Sequence, residues 1–261
     1  MNLLETWANW EPGSPPFALD ADREVLHSRR SLKAVVTHCD WQEAHCAPDF
    51  CAPGDTRLHL GLLPQPFFGD VRRASIYILL LNPGLGPQDY YGEYRIPEYR
   101  QALLANLKQQ FAGVAPFLFL DPQFAWHGGF DWWHGRLAKL MMRLASAWRV
   151  SFADARARLA SVIASIELLP YHSAAFKDGG RWLQNLTSVE LARAFVTEFV
   201  LPRVRSGDAI AIVTRKVAVW GLPEQAGVVT YTAAQARAAH LTPDSPGGSA
   251  ILEHLGVQPR P

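Results

Sequence analysis

Cysteine is scarce in this chain, with three in 261 residues. That is too few for a disulfide scaffold, and the three thiols are expected to be reduced and buried. No apolar run reaches ~18 residues, so no membrane span is expected. The opening stretch MNLLETWANWEPGSPP has neither a basic segment nor a long apolar one, so no secretory signal is expected. Charge of one sign is also lacking: 25 Lys and Arg face 24 Asp and Glu, for a formal net charge of +1. Bulk charge therefore announces no polyanion partner, and any such contact must use local basic patches. There is no internal repeat and no low-complexity tail. Together these absences lead us to expect a soluble, monomeric, cytoplasmic protein.

Apolar residues are plentiful, at 49% with nine Trp, enough for one large domain or a domain with a small lobe. Residues 1–70 are irregular and rich in Pro, His and Trp, and read as a partly helical lobe. Residues 71–261 read as the main domain. The run SIYILLL, from Ser75, is bounded by a turn and suits a strand buried on both faces. PFLFLD is a second strand candidate, IASIELLP a third, GDAIAIVT a fourth and GVVTYT a fifth. Between them lie helical patterns: EYRQALLANLKQQF, DWWHGRLAKLMMRLASAWRV, SFADARARLASV, SVELARAFVTEFVLPRV, RKVAVWGLP and ILEHLG. In the second of these, Trp133, Leu137, Leu140, Met141, Leu144 and Trp148 share one face. Ser151, with Asp154 three residues on, is a plausible N-cap. Strands alternating with helices predict a three-layer α/β/α sandwich around a mostly parallel sheet of four or five strands.

Ligands of such sheets bind beyond the C-terminal strand ends. Three places qualify: Asn82–Gly84, Glu167–His172 and the loop HLTPDSPGG. In LNPGLGP, Asn82 offers both an acceptor and a donor to a water at the sheet edge. A plain turn capped by Asn is the competing reading. His240 follows a strand and precedes small, turn-forming residues and a helix start, where backbone N–H groups can hold phosphate. A histidine there can stabilise a developing anion, or be an ordinary loop residue. His38, Cys39, His45, Cys46 and Cys51 are the right types for a metal, but without a C-x-x-C pair no metal is assigned. Arg72, Arg73, Arg215 and Lys216 can track phosphates or be solvated surface charge. The segment LPQPFFGD reads as a loop.

A strand ending in L-N-P-G-L, then LLP after a middle strand, then H-x-x-P before a C-terminal helix, resembles the uracil-DNA glycosylase superfamily over residues 60–256. The nearest motifs are the G-I-N-P-G-L of its mismatch-specific and thymine-DNA branch and the G-M-N-P-G of its single-strand-selective branch. Leu81 stands where that motif has Gly, and Leu241 where the superfamily's H-P-S-P has its first Pro. The resemblance implies a base-flipping hydrolase of the bond between a base and deoxyribose. Asn82, beside Pro83, would position the attacking water, and His240 would bond the base oxygen as charge builds there. Tyr91, or alternatively Tyr94, would stack on the flipped base. Leu241 would be the wedge filling the gap in the stack, and Ser245 and Gly247 would contact DNA phosphates. No cofactor is implied.

Two positions bear on the base. Uracil-specific members carry a tyrosine where this chain has Gly84, so the space beside the base C5 should be open. Glu167 stands where the family places a base-reading Asn. An ionised carboxylate only accepts hydrogen bonds and suits the N4 amine of cytosine; a carboxylate bonded to backbone or Arg is the competing reading. Gly84 and Glu167 together point to a C5-substituted cytosine, hydroxymethylated or glucosyl-hydroxymethylated, as in phage DNA. The chain is then similar to glycosylases of anti-phage defence. The rivals are repair of uracil or mismatched thymine, a catalytically degenerate DNA-binding module, and a nucleoside hydrolase.

Overall fold

The computed structural model describes residues 2–27, 35–52, 54–111, 115–176, 184–215, 217–236 and 239–258. Lys216 lies outside these residues. By its internal contacts the chain divides into two compact units. The first comprises Met1–Phe67, Leu81–Gln110 and Glu167–Ala194; the second comprises Phe68–Leu80, Phe111–Ile166 and Phe195–Pro261. The expected lobe 1–70 thus lies almost wholly in the first unit, which also takes in two later stretches of chain.

Mixed α/β structure surrounds a mostly parallel sheet. Among the described residues, a small parallel pair is formed by β1 (Val35–Val36) and β2 (Leu58–His59). The central sheet contains β3 (Phe67–Phe68), β4 (Ile76–Leu80), β5 (Ile163–Glu167), β6 (Ile210–Val213) and β7 (Val228–Thr230), in the order β3-β5-β4-β6-β7. β4 and β6 run parallel with Ile76 opposite Ile210, and β6 and β7 run parallel with Val213 opposite Thr230. Every residue of β4, β5 and β6 is buried. This explains why their sequences are unbroken apolar runs rather than alternating ones: a parallel strand covered on both faces has no wet side. β7, at the edge, is partly exposed throughout.

The helices follow their sequence signals closely. Gly128–Trp148 buries Phe130, Trp133, Leu137, Leu140, Met141 and Leu144 on one face, at spacings of three and four residues, while Trp148 is only partly buried. Phe152–Val162 starts from the expected cap: Ser151 Oγ accepts from the Asp154 N–H at 3.1 Å, and Asp154 Oδ2 reaches back to the Ser151 N–H at 3.3 Å. The predicted helix from Ser188 is present as Thr187–Phe195, a π turn over Val196–Val200, and Leu201–Arg205. Pro202 has no N–H to give and its ring would strike the carbonyl four residues back, and the wider π turn relieves both conflicts.

Two local expectations fail. PFLFLD is not a strand: Leu118–Leu120 is a 3-10 turn, closed by Leu120 N–H to Phe117 O and Asp121 N–H to Leu118 O, each at 3.0 Å. A short apolar run fits a buried turn as well as a strand, and periodicity does not separate them. LPQPFFGD, read as a loop, contributes the two residues of β3. The three cysteines, expected to be buried, are all exposed. They follow a short, mostly solvated helix, Trp41–His45, and its flanking turns, which offer them no apolar cover.

Candidate active site

In the first unit, β4 delivers the chain into the Asn82 turn, and the segment after β5 runs beside it. Leu169 N–H donates to Leu81 O at 2.9 Å, and Ser173 N–H donates to Pro83 O at 3.2 Å. These two bonds hold Asn82 against Tyr171–Ser173. Its amide nitrogen then donates to Pro83 O at 2.9 Å, to Ser173 Oγ at 3.0 Å and to Tyr171 O at 3.3 Å. Two of those partners are backbone carbonyls, which only accept, so the amide orientation is fixed: Nδ2 faces the protein. No donor reaches Oδ1 among the described residues, and Asn82 is only partly buried. The side chain is therefore an oriented hydrogen-bond acceptor on a rigid mount, not a turn cap.

Gly84, two residues on, is exposed, and a Cβ placed on it would meet no atom within 4 Å. Neither packing nor a positive φ requires glycine here, and the space expected beside this position is open. The Gly84 carbonyl accepts from His172 Nδ1 at 2.7 Å. Since a carbonyl cannot donate, His172 carries its proton on Nδ1. His172 is 1% exposed, with Asp89 Oδ1 3.9 Å from the same nitrogen. Asp89 Oδ2 also accepts the Gly86 N–H at 2.7 Å, which opens the helix Pro87–Arg95.

That helix separates the two aromatic candidates. Tyr91 is 43% exposed, edge-on to Trp41 with ring centroids 5.4 Å apart. Tyr94 points inward and donates its hydroxyl to Gly61 O at 2.6 Å. Its role is structural, and Tyr91 is the available stacking surface. Glu93, on the inward face, accepts Leu63 N–H at 2.9 Å, and burial pushes its carboxyl well above the usual range. Glu167 closes β5, is 5% exposed, and donates its N–H to Pro66 O at 2.9 Å.

Beneath the turn lies a polar chain that the sequence did not announce. Arg57 grips Asp55 with Nε to Oδ1 at 2.9 Å and Nη2 to Oδ2 at 2.7 Å, holding that carboxyl well below the usual range. His59 Nε2 lies 3.3 Å from Asp55 Oδ2, and His59 Nδ1 lies 3.0 Å from the Tyr90 hydroxyl. A carboxylate accepts only, so His59 is protonated on Nε2, and Tyr90 donates to Nδ1. Burial pushes the His59 pKa down from 6.5 to about 4, against the opposing pull of Asp55. The His59 N–H bonds His172 O at 2.9 Å, linking this chain to the residues around Gly84. His172 fell within a flagged strand end; His59, Asp55 and Ser173 had no local signal, because their partners are distant in sequence.

The second unit holds the other predicted residues. His240 is exposed, and its carbonyl accepts from the Tyr231 hydroxyl. Leu241, expected as a wedge, is 1% exposed and lies against the Gly247 backbone. A side chain held in the core is not presented to DNA. Gly247, expected at phosphate, is also buried, and its N–H donates to Tyr231 Oη at 3.1 Å. Ser245 is the N-cap of Pro246–His254: its Oγ accepts Gly248 N–H at 3.1 Å and donates to Thr242 O at 2.8 Å. Its hydroxyl is thus occupied by the fold. Among the described residues, no group of three or more His, Cys, Asp or Glu is placed to hold a metal. Nor is any helix there long and apolar enough to cross a membrane. No family model, curated protein or solved structure matches the chain.

Proposed function

We propose that this protein is a monofunctional DNA base glycosylase with a uracil-DNA glycosylase-like α/β/α fold. Its substrate is a C5-substituted cytosine, hydroxymethylated or glucosylated, in phage DNA. The observation that carries the reading is the clamped Asn82 amide, whose Nδ2 is held by Pro83, Tyr171 and Ser173. An acceptor fixed in this way orients a water lone pair toward C1′ of a flipped nucleotide. The water oxygen bonds C1′ as the N-glycosidic bond breaks, and the bond electrons leave with the base. The water gives up its proton, the base takes one from solvent, and an abasic site remains. His240 is the residue assigned to the base oxygen.

Gly84 supports the choice of base. Its side-chain position opens on empty space, so a large C5 group meets no wall there. Glu167 is the acceptor for the N4 amine, which uracil and thymine lack. Tyr91, exposed on its helix, is the stacking surface. The test is mass spectrometry of bases released from glucosyl-hydroxymethylcytosine, hydroxymethylcytosine, uracil and unmodified DNA. Release of the modified cytosines is expected. Release of uracil alone would place the protein in repair, and release from none, with DNA still bound, would make it a binding module.

A further inference from the structure

In the second unit, helix Gly128–Trp148 carries Arg136 four residues after Trp132. The Arg136 Cζ lies 3.6 Å from the centroid of the Trp132 ring, and Nη1 donates to Trp132 O at 3.1 Å. The indole face and this bond fix the plane of the guanidinium. Its Nε is buried and has no hydrogen-bond partner. Among the described residues, no carboxylate forms an ion pair with Arg136 or with Arg215. Arg215 directly follows the C-terminal end of β6 and its buried neighbour Thr214. Burial pushes the Arg136 pKa down to about 10, and the Arg215 charge adds to that push.

Two cations that repel each other, one of them partly desolvated, are costly to hold without an anion. A tetrahedral phosphate removes that cost: its oxygens accept from a guanidinium fork, and its charge offsets both arginines. The C-terminal end of a parallel strand is also where such sheets take ligands. We propose that Arg136, backed by Trp132, and Arg215 form a phosphate-binding site that grips the backbone of a DNA strand. The site rests on DNA being the substrate, and not on which base is released.

The test is fluorescence-anisotropy titration of an unmodified labelled duplex over a salt series, with wild type, Arg136→Gln and Arg215→Gln. Arg205→Gln, an exposed position at the end of its helix, controls for charge loss alone. Each site variant should bind about 10-fold more weakly, with the salt slope reduced by about one. Arg205→Gln should stay within about 2-fold of wild type. Arg136→Lys keeps the charge and loses the fork, and serves if the Gln variant does not fold; it should weaken binding several-fold. Wild-type affinity and slope in both site variants would overturn the proposal, as would a wild-type protein that binds no duplex. Weakened binding by the variants of a protein that releases no base would uphold this site and remove the glycosylase reading. Base release with unchanged binding by the variants would do the reverse.

Discussion

A side-chain amide has a donating half and an accepting half, and at Asn82 the donating half is committed to three oxygens. An aspartate there is not a conservative replacement. One carboxylate oxygen would face the carbonyls of Pro83 and Tyr171, where lone pairs oppose lone pairs, and the side chain would swing away. Asn82→Asp should therefore slow base release on the order of 100-fold, as a misplaced reacting group does. A single-turnover assay that finds the wild-type rate would remove the clamp from the mechanism. His59 makes a second residue-scale prediction. Its pKa falls from 6.5 to about 4 on folding, so the unfolded chain binds the proton more tightly. The sign follows: the folded state suffers no penalty above about pH 6.5 and loses stability as pH falls toward 4. The whole span amounts to roughly 3 kcal/mol. Melting temperatures of wild type and His59→Gln between pH 7 and 4.5 should converge at the acid end, and parallel curves would contradict the buried neutral histidine.

Elements are positioned here by close backbone approach as much as by side chains. The helix Pro246–His254 begins hard against the loop before it, and a Cβ on Gly248 would overlap Thr242 O. Backbone does not yield as a flexible side chain does. Gly248→Ala should cost about 2 kcal/mol or more by forcing helix and loop apart, measured by urea denaturation; a loss of a few tenths would mean the loop simply shifts. At Gly69 two effects combine, a φ of +90° and a Cβ position 2.5 Å from Ile163 O. This glycine lets the chain leave β3 close beside β5. Element type was largely legible beforehand. Unbroken apolar runs marked β4, β5 and β6, and Ser151 with Asp154 marked a helix start. The run from Phe117 to Leu120 carries the same apolar signal and folds as a turn, because local pattern reports burial and not backbone path.

At the scale of the whole molecule, basic residues are balanced by acidic ones, and only five of the 25 are Lys. Arginine suits bidentate phosphate contacts, whereas lysine is the residue that forms Schiff bases with sugars. The proposed chemistry should accordingly leave abasic DNA intact until alkali is added, and borohydride should trap no protein–DNA adduct. A trapped adduct would require a covalent mechanism. The sequence by itself determined the strand-and-helix order, the parallel core of the sheet and the Asn-Pro-Gly turn at the end of β4. Each of these is encoded within a dozen or so residues, in apolar period, caps and turn residues. The tertiary structure alone decided what that turn does. The Ser173 partner of Asn82 lies 91 residues away, and the His172 bond to Gly84 O spans 88. It also buried Leu241 and exposed the cysteines. Such partners are chosen by which segments pack side by side, and no local pattern carries that choice.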